Sequence, residues 1–458
     1  MMSAILQKLS RQKAVEAAVS AQDYTESAVP ITERRDPVTM GLLWITMVTG
    51  FPSVLVGFQW FKAGLNLPQV IGCSLVSCIV LLLYALPASM MGSNSGLTYA
   101  LLARKVFGRW GSLLVSLNLL VLSIAWYGLT SVFLAAGLEG LFHWHLSPIW
   151  FSAILAIFMT FNNFFGFSGV ANFARYLAGP VLVAWVFFTF CKAGAACPPS
   201  VWTEPAHIGT PLALGLVSSF VIGYSVWGNE ADYWRFGKPK LWSVTIPILV
   251  SLSIGEFIFP ITGWMLARQT GITGDAAATN LMNSYAFGGW SAVAAAVLVV
   301  TYMAVNDSML YGCINALENF RSMNRRKVVA FLAFVGSVTA ALLAGVSNNF
   351  EQVAALSAVF LPSATIVILV ELWLISKEHR QEGRLSHVPA LENLHSVRWS
   401  AVLAFACGCV TGLVTANLVP GFQKFSIGVP ALNAWIATFV SYVIFRKIEK
   451  RMESKGEN

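Results

Sequence analysis

The stretch SSFVIGYSVWGNEADYWRFGKPK, residues 218–240, begins as an apolar helix and loses that character before it is long enough to finish crossing a membrane. Gly223 and Gly228 lie near its centre, and Asn229, Glu230 and Asp232 follow at once. Five spans upstream, WITMVTGFPSVLVG (44–57) is interrupted in the same way by Gly50 and Pro52. Pro52 has no backbone donor and disfavours helix at Phe51. Irregular backbone at membrane depth is tolerated only inside protein or beside a cavity. Two interrupted helices at matching places in two halves therefore point to an inverted-repeat transporter with its site at the midplane. A proline kink with ordinary glycine packing is the plainer alternative.

The rest of the chain agrees with a membrane setting. Its 458 residues hold 29 Lys and Arg and 21 Asp and Glu, so 11% are charged and 57% hydrophobic; a soluble protein carries about 25% charge. With about 20 apolar residues needed per span, twelve spans are predicted, at 40–61, 68–91, 111–138, 148–168, 174–196, 210–231, 241–267, 286–312, 327–347, 353–376, 398–418 and 427–446. The first 36 residues are polar and lack the basic-then-apolar pattern of a cleaved signal peptide. Of the basic residues, all but Lys62, Lys192, Arg268 and Lys424 fall on one side if the N-terminus is cytoplasmic. The positive-inside rule then places both termini in the cytoplasm of a multi-pass protein of the cytoplasmic (inner) membrane. The net charge of +8 is an orientation signal scattered over several segments, not a nucleic-acid face.

Chemistry in the membrane is restricted by what is missing. The six His (143, 145, 207, 379, 387 and 395) all fall in loops or tails, and the His143–His145 pair has no third ligand nearby. The seven Cys form no CxxC pair and read as small core residues. No metal site is expected, and a membrane-embedded enzyme would have only carboxylates to work with. Those carboxylates need a reason, because each charge in a span costs about 2.5–3.5 kcal/mol on the insertion scale. Glu371 and Asp232 can snorkel to the inner interface. Glu256 lies within the seventh span, while Asp307 beside Asn306, and Glu230, stand deep enough to act as proton carriers. In SIAWYGLTS (123–131), Trp126 offers a stacking face, with Ser123 and Thr130 on neighbouring turns; packing is the plainer reading of a lone Trp.

GLTYALLARKVFGRWGS (96–112), the third-span Trp126-Tyr127-Gly128, ADYWRFG (231–237) and NDSMLY (306–311) together resemble the bacterial nucleobase-cation symporter family, first type, and within it the cytosine permease branch. The resemblance covers about residues 36–446. It implies an all-α integral membrane fold of twelve transmembrane helices, a leucine-transporter-like 5+5 inverted repeat with discontinuous helices 1 and 6. The divisions would be a cytoplasmic tail (1–36), a first repeat (37–200), a second repeat (201–380), two further spans with their preceding loop (381–446) and a C-terminal tail (447–458).

The resemblance also implies roles. Trp126 matches the Trp on which the planar base stacks, and Asn306 the Asn that hydrogen-bonds it. The sixth-span ring of the family falls on Gly223, with Tyr224 one step on; Ser123 stands where the cytosine branch has a Gln. Phe51, Thr130 and Trp227 complete the expected substrate contacts, with broken backbone at Gly50–Phe51 and Gly223–Tyr224. The family's sodium is held by first-span carbonyls and by two hydroxyl residues that fall here on Ala304 and Val305. Carbonyls near Met47, Gly50 and Ala304 remain, too few oxygens for a hard cation, so coupling to H+ through Asp307 and Glu230, or to Na+ through other oxygens, is expected. The implied function is cation-coupled import of a nucleobase or related planar heterocycle by a monomer in lipid, with no cofactor. An amino-acid or vitamin-precursor symporter of the same fold, or less plausibly an enzyme, is the rival.

Overall fold

The computed structural model describes residues 23–321, 324–345, 349–376, 385–388, 390–425 and 428–456. The N-terminal Lys8, Arg11 and Lys13, and the loop residues Lys377, His379, Arg380 and Arg384, lie outside them. Among the described residues the fold is helical, with no strand beyond one isolated bridge between Arg35 and Gly237. The helices are α1 (Pro37–Val48), α2 (Phe51–Lys62), α3 (Leu67–Ser95), α4 (Tyr99–Phe142), α5 (Pro148–Phe158), α6 (Gly166–Phe173), α7 (Gly179–Ala195), α8 (Thr210–Ser225), α9 (Glu230–Trp234), α10 (Leu241–Leu252), α11 (Phe259–Thr270), α12 (Asp275–Phe287), α13 (Ser291–Glu318), α14 (Arg325–Leu343), α15 (Asn349–Leu369), α16 (Trp399–Thr415) and α17 (Pro430–Gly456). Segments with π-type hydrogen bonding at Ala174–Ala178 and Ser253–Ile258 join α6 to α7 and α10 to α11, and a third extends α15 over Val370–Ile375.

Local chemistry explains the boundaries. Asp36 caps α1 by accepting from the Val38 and Thr39 N–H groups (3.0 Å each), and Pro37 starts the helix. Burial opposes the charge on Asp36, yet the Thr39 donors and Arg175 hold its carboxyl down at about 2. Asn66 and Gln69 form a capping box at the start of α3. Gly96, at φ +72°, ends α3 in the left-handed conformation. Gly108, at φ +81°, is the one non-helical residue inside α4.

Among the described residues seven helical runs are long and apolar enough to cross a membrane, and the α1–α2 pair, bent by 47°, makes an eighth. α8 and α16 are apolar but shorter. Two sequence boundaries need correction. The expected span 148–168 ends at Phe158; a 3-10 turn follows at Phe161–Phe165, and α6 begins at Gly166 (φ +69°). The last helix runs on to Gly456, past the expected limit at 446. An additional helix, α12, packs against α2, α4, α7 and α13; its mixed sequence DAAATNLMNSYAF gave no span signal.

Large apolar side chains cover the outside, and polar side chains are buried within an apolar core. Leu83, Trp150, Phe187, Trp242 and Phe334 face outward with most of their surface exposed, while Thr46, Ser74, Ser89, Asn163, Glu256 and Asp307 are fully buried. Exposed apolar area of this extent fits lipid. Helix contact inside relies on small residues. A Cβ on Gly57 would overlap the Pro260 carbonyl, and one on Gly263 would overlap the Val54 carbonyl, so α2 and α11 touch backbone to backbone.

At one end of the molecule residues 23–35 stitch several elements together. The Val29 N–H donates to the Gly96 carbonyl (2.9 Å), and Arg34 donates to the Ser93 and Gly237 carbonyls (3.0 and 2.9 Å). Burial and the neighbouring Arg235 bring the Arg34 guanidinium down to about 10, still charged at neutral pH. Arg235 donates to the Tyr24 carbonyl (2.9 Å), and Arg325 pairs with Asp23.

Candidate functional site

The two breaks are where the backbone is free, and the structure moves both from their expected positions. In the first, Thr49 and Gly50 are extended and Phe51 already begins α2, because Pro52 suits the first turn of a helix. In the second, α8 continues through Gly223 and Tyr224 to Ser225, so the expected break at Gly223–Tyr224 is not there. The chain opens instead at Val226–Asn229, with Gly228 at φ +77°. Gly223 has a packing reason: a Cβ on it would lie 2.8 Å from the Ala354 carbonyl oxygen of α15.

Glu230 closes the second break. One of its carboxylate oxygens accepts from the Trp227 and Gly228 N–H groups (3.2 Å each) and the other from the Tyr84 hydroxyl (3.0 Å). The carboxylate thus satisfies donors that the missing helical turn would have used. Thr365 of α15 donates to the Gly228 carbonyl, and a Cβ on Gly92 would lie 2.6 Å from Ala231 Cα, which shows how closely α9 is seated on α3.

Beside the breaks lies a set of rings. Trp126 and Tyr224 meet edge to face with centroids 5.7 Å apart, and Tyr224 stacks on Phe220 at 5.4 Å. Tyr224, not the residue at Gly223, therefore faces Trp126. Its hydroxyl lies 2.5 Å from where a Gly50 Cβ would be, so the phenol reaches the first break. The Trp126 indole donates to Ser357 Oγ (2.8 Å). Phe51 stacks on Trp185 (6.1 Å, 12°), and Trp227 meets Tyr233 edge to face (5.8 Å).

α13 presents its polar residues to two different neighbours. Asn306 accepts from the Thr130 hydroxyl, and its amide nitrogen points at the Tyr127 carbonyl (3.3 Å) and Ser131 Oγ (3.4 Å). Thr130 also approaches the Trp126 and Tyr127 carbonyls (2.9 and 3.0 Å). Trp126, Thr130 and Asn306 thus form one unit. Ser123 stands apart from it, hydrogen-bonded with Cys313, two turns along α13 from Asn306. Asp307 turns toward the α5–α6 connection, where Asn162 (2.6 Å) and Asn163 (3.3 Å) donate to its two oxygens.

Met47, Gly50, Ala304 and Val305 are buried, and the last two bring no side-chain oxygen. One turn earlier the Thr301 hydroxyl is buried too, and it donates to the Leu298 carbonyl (3.0 Å). Several buried polar atoms next to the breaks have no protein partner: the Thr49 and Tyr302 hydroxyls, the Trp185 and Trp227 indole nitrogens, and one oxygen of Glu256. Such groups are costly unless something binds them. Trp185, Tyr302 and Thr49 carried no signal in the sequence, since each reads there as an ordinary span residue. Among the described residues no group of three or more His, Cys, Asp or Glu is placed to hold a metal.

Comparisons with known proteins agree with this fold. Residues 29–440 match a family described as permeases for cytosine/purines, uracil, thiamine and allantoin. The cytosine permease of Escherichia coli K12 is 24% identical over 445 residues, covering 94% of this chain and 95% of that one. A vitamin B6 transporter of Saccharomyces cerevisiae is 26% identical over 212 residues, 44% of this chain and 36% of its own. Mhp1, a nucleobase-cation-symport-1 family transporter solved in a closed conformation with bromovinylhydantoin bound, superposes with a TM-score of 0.70 at 15% identity, covering 93% of this chain and 95% of Mhp1. A Na+-coupled sialic acid symporter in a substrate-bound outward-open state shares the fold at a TM-score of 0.63 and 11% identity, over 94% and 95% of the two chains. With its broken first helix, its helix-to-helix core and a match that spans nearly the whole membrane region, the chain belongs to the family of permeases for cytosine/purines, uracil, thiamine and allantoin.

Proposed function

We propose that this permease is a cation-coupled symporter that imports a nucleobase or related small planar nitrogen heterocycle by alternating access. The observation that carries the reading is the joining of Trp126, Tyr224, Thr130 and Asn306 beside two helix breaks. In this reading the base stacks on Trp126, Tyr224 closes on it from α8, and Asn306 reads its amide or amidine edge. Phe51, Trp227 and the freed backbone at both breaks supply the remaining contacts, and Ser123 tunes the end of the pocket toward Cys313. Twelve spans, repeats at 37–200 and 201–380, appended spans within 381–446, cytoplasmic tails 1–36 and 447–458, and a monomer in the inner membrane belong to the same proposal. The orientation follows the basic residues.

Coupling is proposed to run on protons. At Ala304 and Val305, α13 offers no side-chain oxygen to the carbonyls near Met47 and Gly50, which leaves a Na+ cage short of ligands on that side. Deep carboxylates are available instead, Asp307 and Glu230 among them. No cofactor or metal takes part. One proton crossing 100 mV supplies about 2.3 kcal/mol, on the order of 50-fold accumulation. Uptake into proteoliposomes under separately imposed H+ and Na+ gradients tests this: uptake should follow the pH gradient. Strict dependence on Na+ with none on pH would falsify the proton version.

The substrate is to be found by thermal shift of the purified protein against pyrimidines, purines, hydantoins, allantoin, and thiamine and B6-type rings. A ligand at 100 times its Kd stabilises by about 2.7 kcal/mol. The expected hit is a planar ring with adjacent donor and acceptor. Stabilisation by amino acids alone would favour the zwitterion transporter.

A further inference from the structure

The π-type segment Ser253–Ile258 interrupts the run from α10 to α11, and at its centre is a carboxylate that the proposed site does not use. Glu256 has no solvent exposure. One of its oxygens accepts from Ser225 Oγ (2.5 Å), and Ser225 is the last residue of α8 before the chain opens. The other oxygen has no partner. The preceding Gly255 is pressed against the end of α1, so that a Cβ there would overlap the Val48 carbonyl and the Thr49 hydroxyl. That hydroxyl is itself buried and unpartnered. A single short segment therefore touches both broken helices at their breaks.

Among the described residues nothing around Glu256 balances a charge. The ionisable groups that face Glu256 are Cys78 of α3 and Tyr224 of α8, neither a cation. α1 and α10 carry no ionisable side chain. Lys192 of α7 is bound to the Tyr285 carbonyl (2.7 Å), and Arg268 of α11 to Glu204 (2.7–2.9 Å). An ionised carboxylate cut off from water with one donor and no counter-ion is among the costliest groups a protein can bury. Asp307 and Glu230 differ, because both oxygens of each face N–H or O–H donors. A proton there would meet donors; on Glu256 it has an open oxygen. Residues with π-type bonding inside α-helices frequently mark functional positions.

We propose that Glu256 is the residue that binds and releases the coupling proton, a role that rests on the proton-symport reading above. In the arrangement described, with one donor and no counter-ion, the carboxyl carries the proton. It takes its proton from water on the side of entry, and it releases that proton to water on the other side once the breaks rearrange. Because its hydrogen bond is to Ser225 and its neighbour abuts Val48 and Thr49, protonation acts on the same backbone that contacts the substrate. A purely structural Glu256 would need only to hold Ser225, which an amide also does.

Glu256→Gln in proteoliposomes separates the two. The expected result is that accumulation driven by a pH gradient, on the order of 50-fold per proton at 100 mV, falls to the equilibrium ratio. Exchange of labelled for unlabelled substrate at equal pH persists. Undiminished gradient-driven accumulation by the variant overturns the role of Glu256 while leaving proton symport standing. Loss of exchange and of ligand binding together in a folded variant also overturns it, as does wild-type uptake that follows Na+ alone, which removes the underlying reading as well. If the Gln variant does not fold, Ser225→Ala is measured instead. Removing a donor to the carboxylate should displace the pH profile of uptake to higher pH, and an unchanged profile overturns the proposal.

Discussion

Asn306→Ala abolishes saturable uptake, and Trp126→Phe slows it by less than about tenfold. The difference follows from what each side chain does. Asn306 is fully buried, Thr130 holds its oxygen, and its amide nitrogen makes long contacts to the Tyr127 carbonyl, Ser131 Oγ and Met159 Sδ, which a ligand acceptor would replace. Truncation leaves a bound base with two unmatched edge atoms at about 1–3 kcal/mol each, on the order of a 30-fold loss or more. Thr130 is not stranded by the change, because the Trp126 and Tyr127 carbonyls still accept from it. The variant should therefore fold, and its defect should appear in transport and ligand binding, not in the melting curve. Phenylalanine at 126 keeps a stacking face and loses the bond to Ser357. Normal transport by the Asn306 variant would mean that the base is read elsewhere.

Gly263→Leu gives no stable protein, and Gly263→Ala lowers the melting temperature of what is recovered. Overpacking in a filled core costs about 1–3 kcal/mol when side chains can shift. Here the atom in the way is the Val54 backbone carbonyl, and the reciprocal Gly57 faces the Pro260 carbonyl, so nothing flexible can give. α2 would have to part from α11 along a line that continues to the first break. Gly215→Ala in α8 is the control: no atom lies within 4 Å of its added Cβ, and stability should hold or rise by about 0.4–1 kcal/mol. Equal melting temperatures for Gly263→Ala and Gly215→Ala would contradict the backbone contact.

The membrane class and the broken first and sixth helices were legible in the sequence because composition and Gly/Pro placement report directly on solvation and backbone freedom. The position of the second break was not. Gly223 and Gly228 look alike in sequence; only packing tells them apart, the first making room for α15 and the second taking a positive φ. Trp126 and Asn306 were readable through motif resemblance and Thr130 through its helical spacing from Trp126, and the structure brings them together. Glu230 was legible as a deep carboxylate but not as a cap, since its partners Tyr84, Trp227 and Gly228 become neighbours only when the chain folds back. Glu256 is the opposite case. In sequence it is one more acidic residue in a span, and only the unmatched oxygen beside Ser225 sets it apart.

Residues 23–35 place part of the cost of opening that end of the molecule outside the pocket. Their bonds from Arg34 to Ser93 and Gly237, from Arg235 to Tyr24, and between Arg325 and Asp23 cross between separate elements, so any opening that parts those elements there must break them. Each one therefore adds to the free energy of opening there and adds nothing to opening at the opposite end. The segment is therefore a bias on how readily that end opens, set by residues that never touch the substrate.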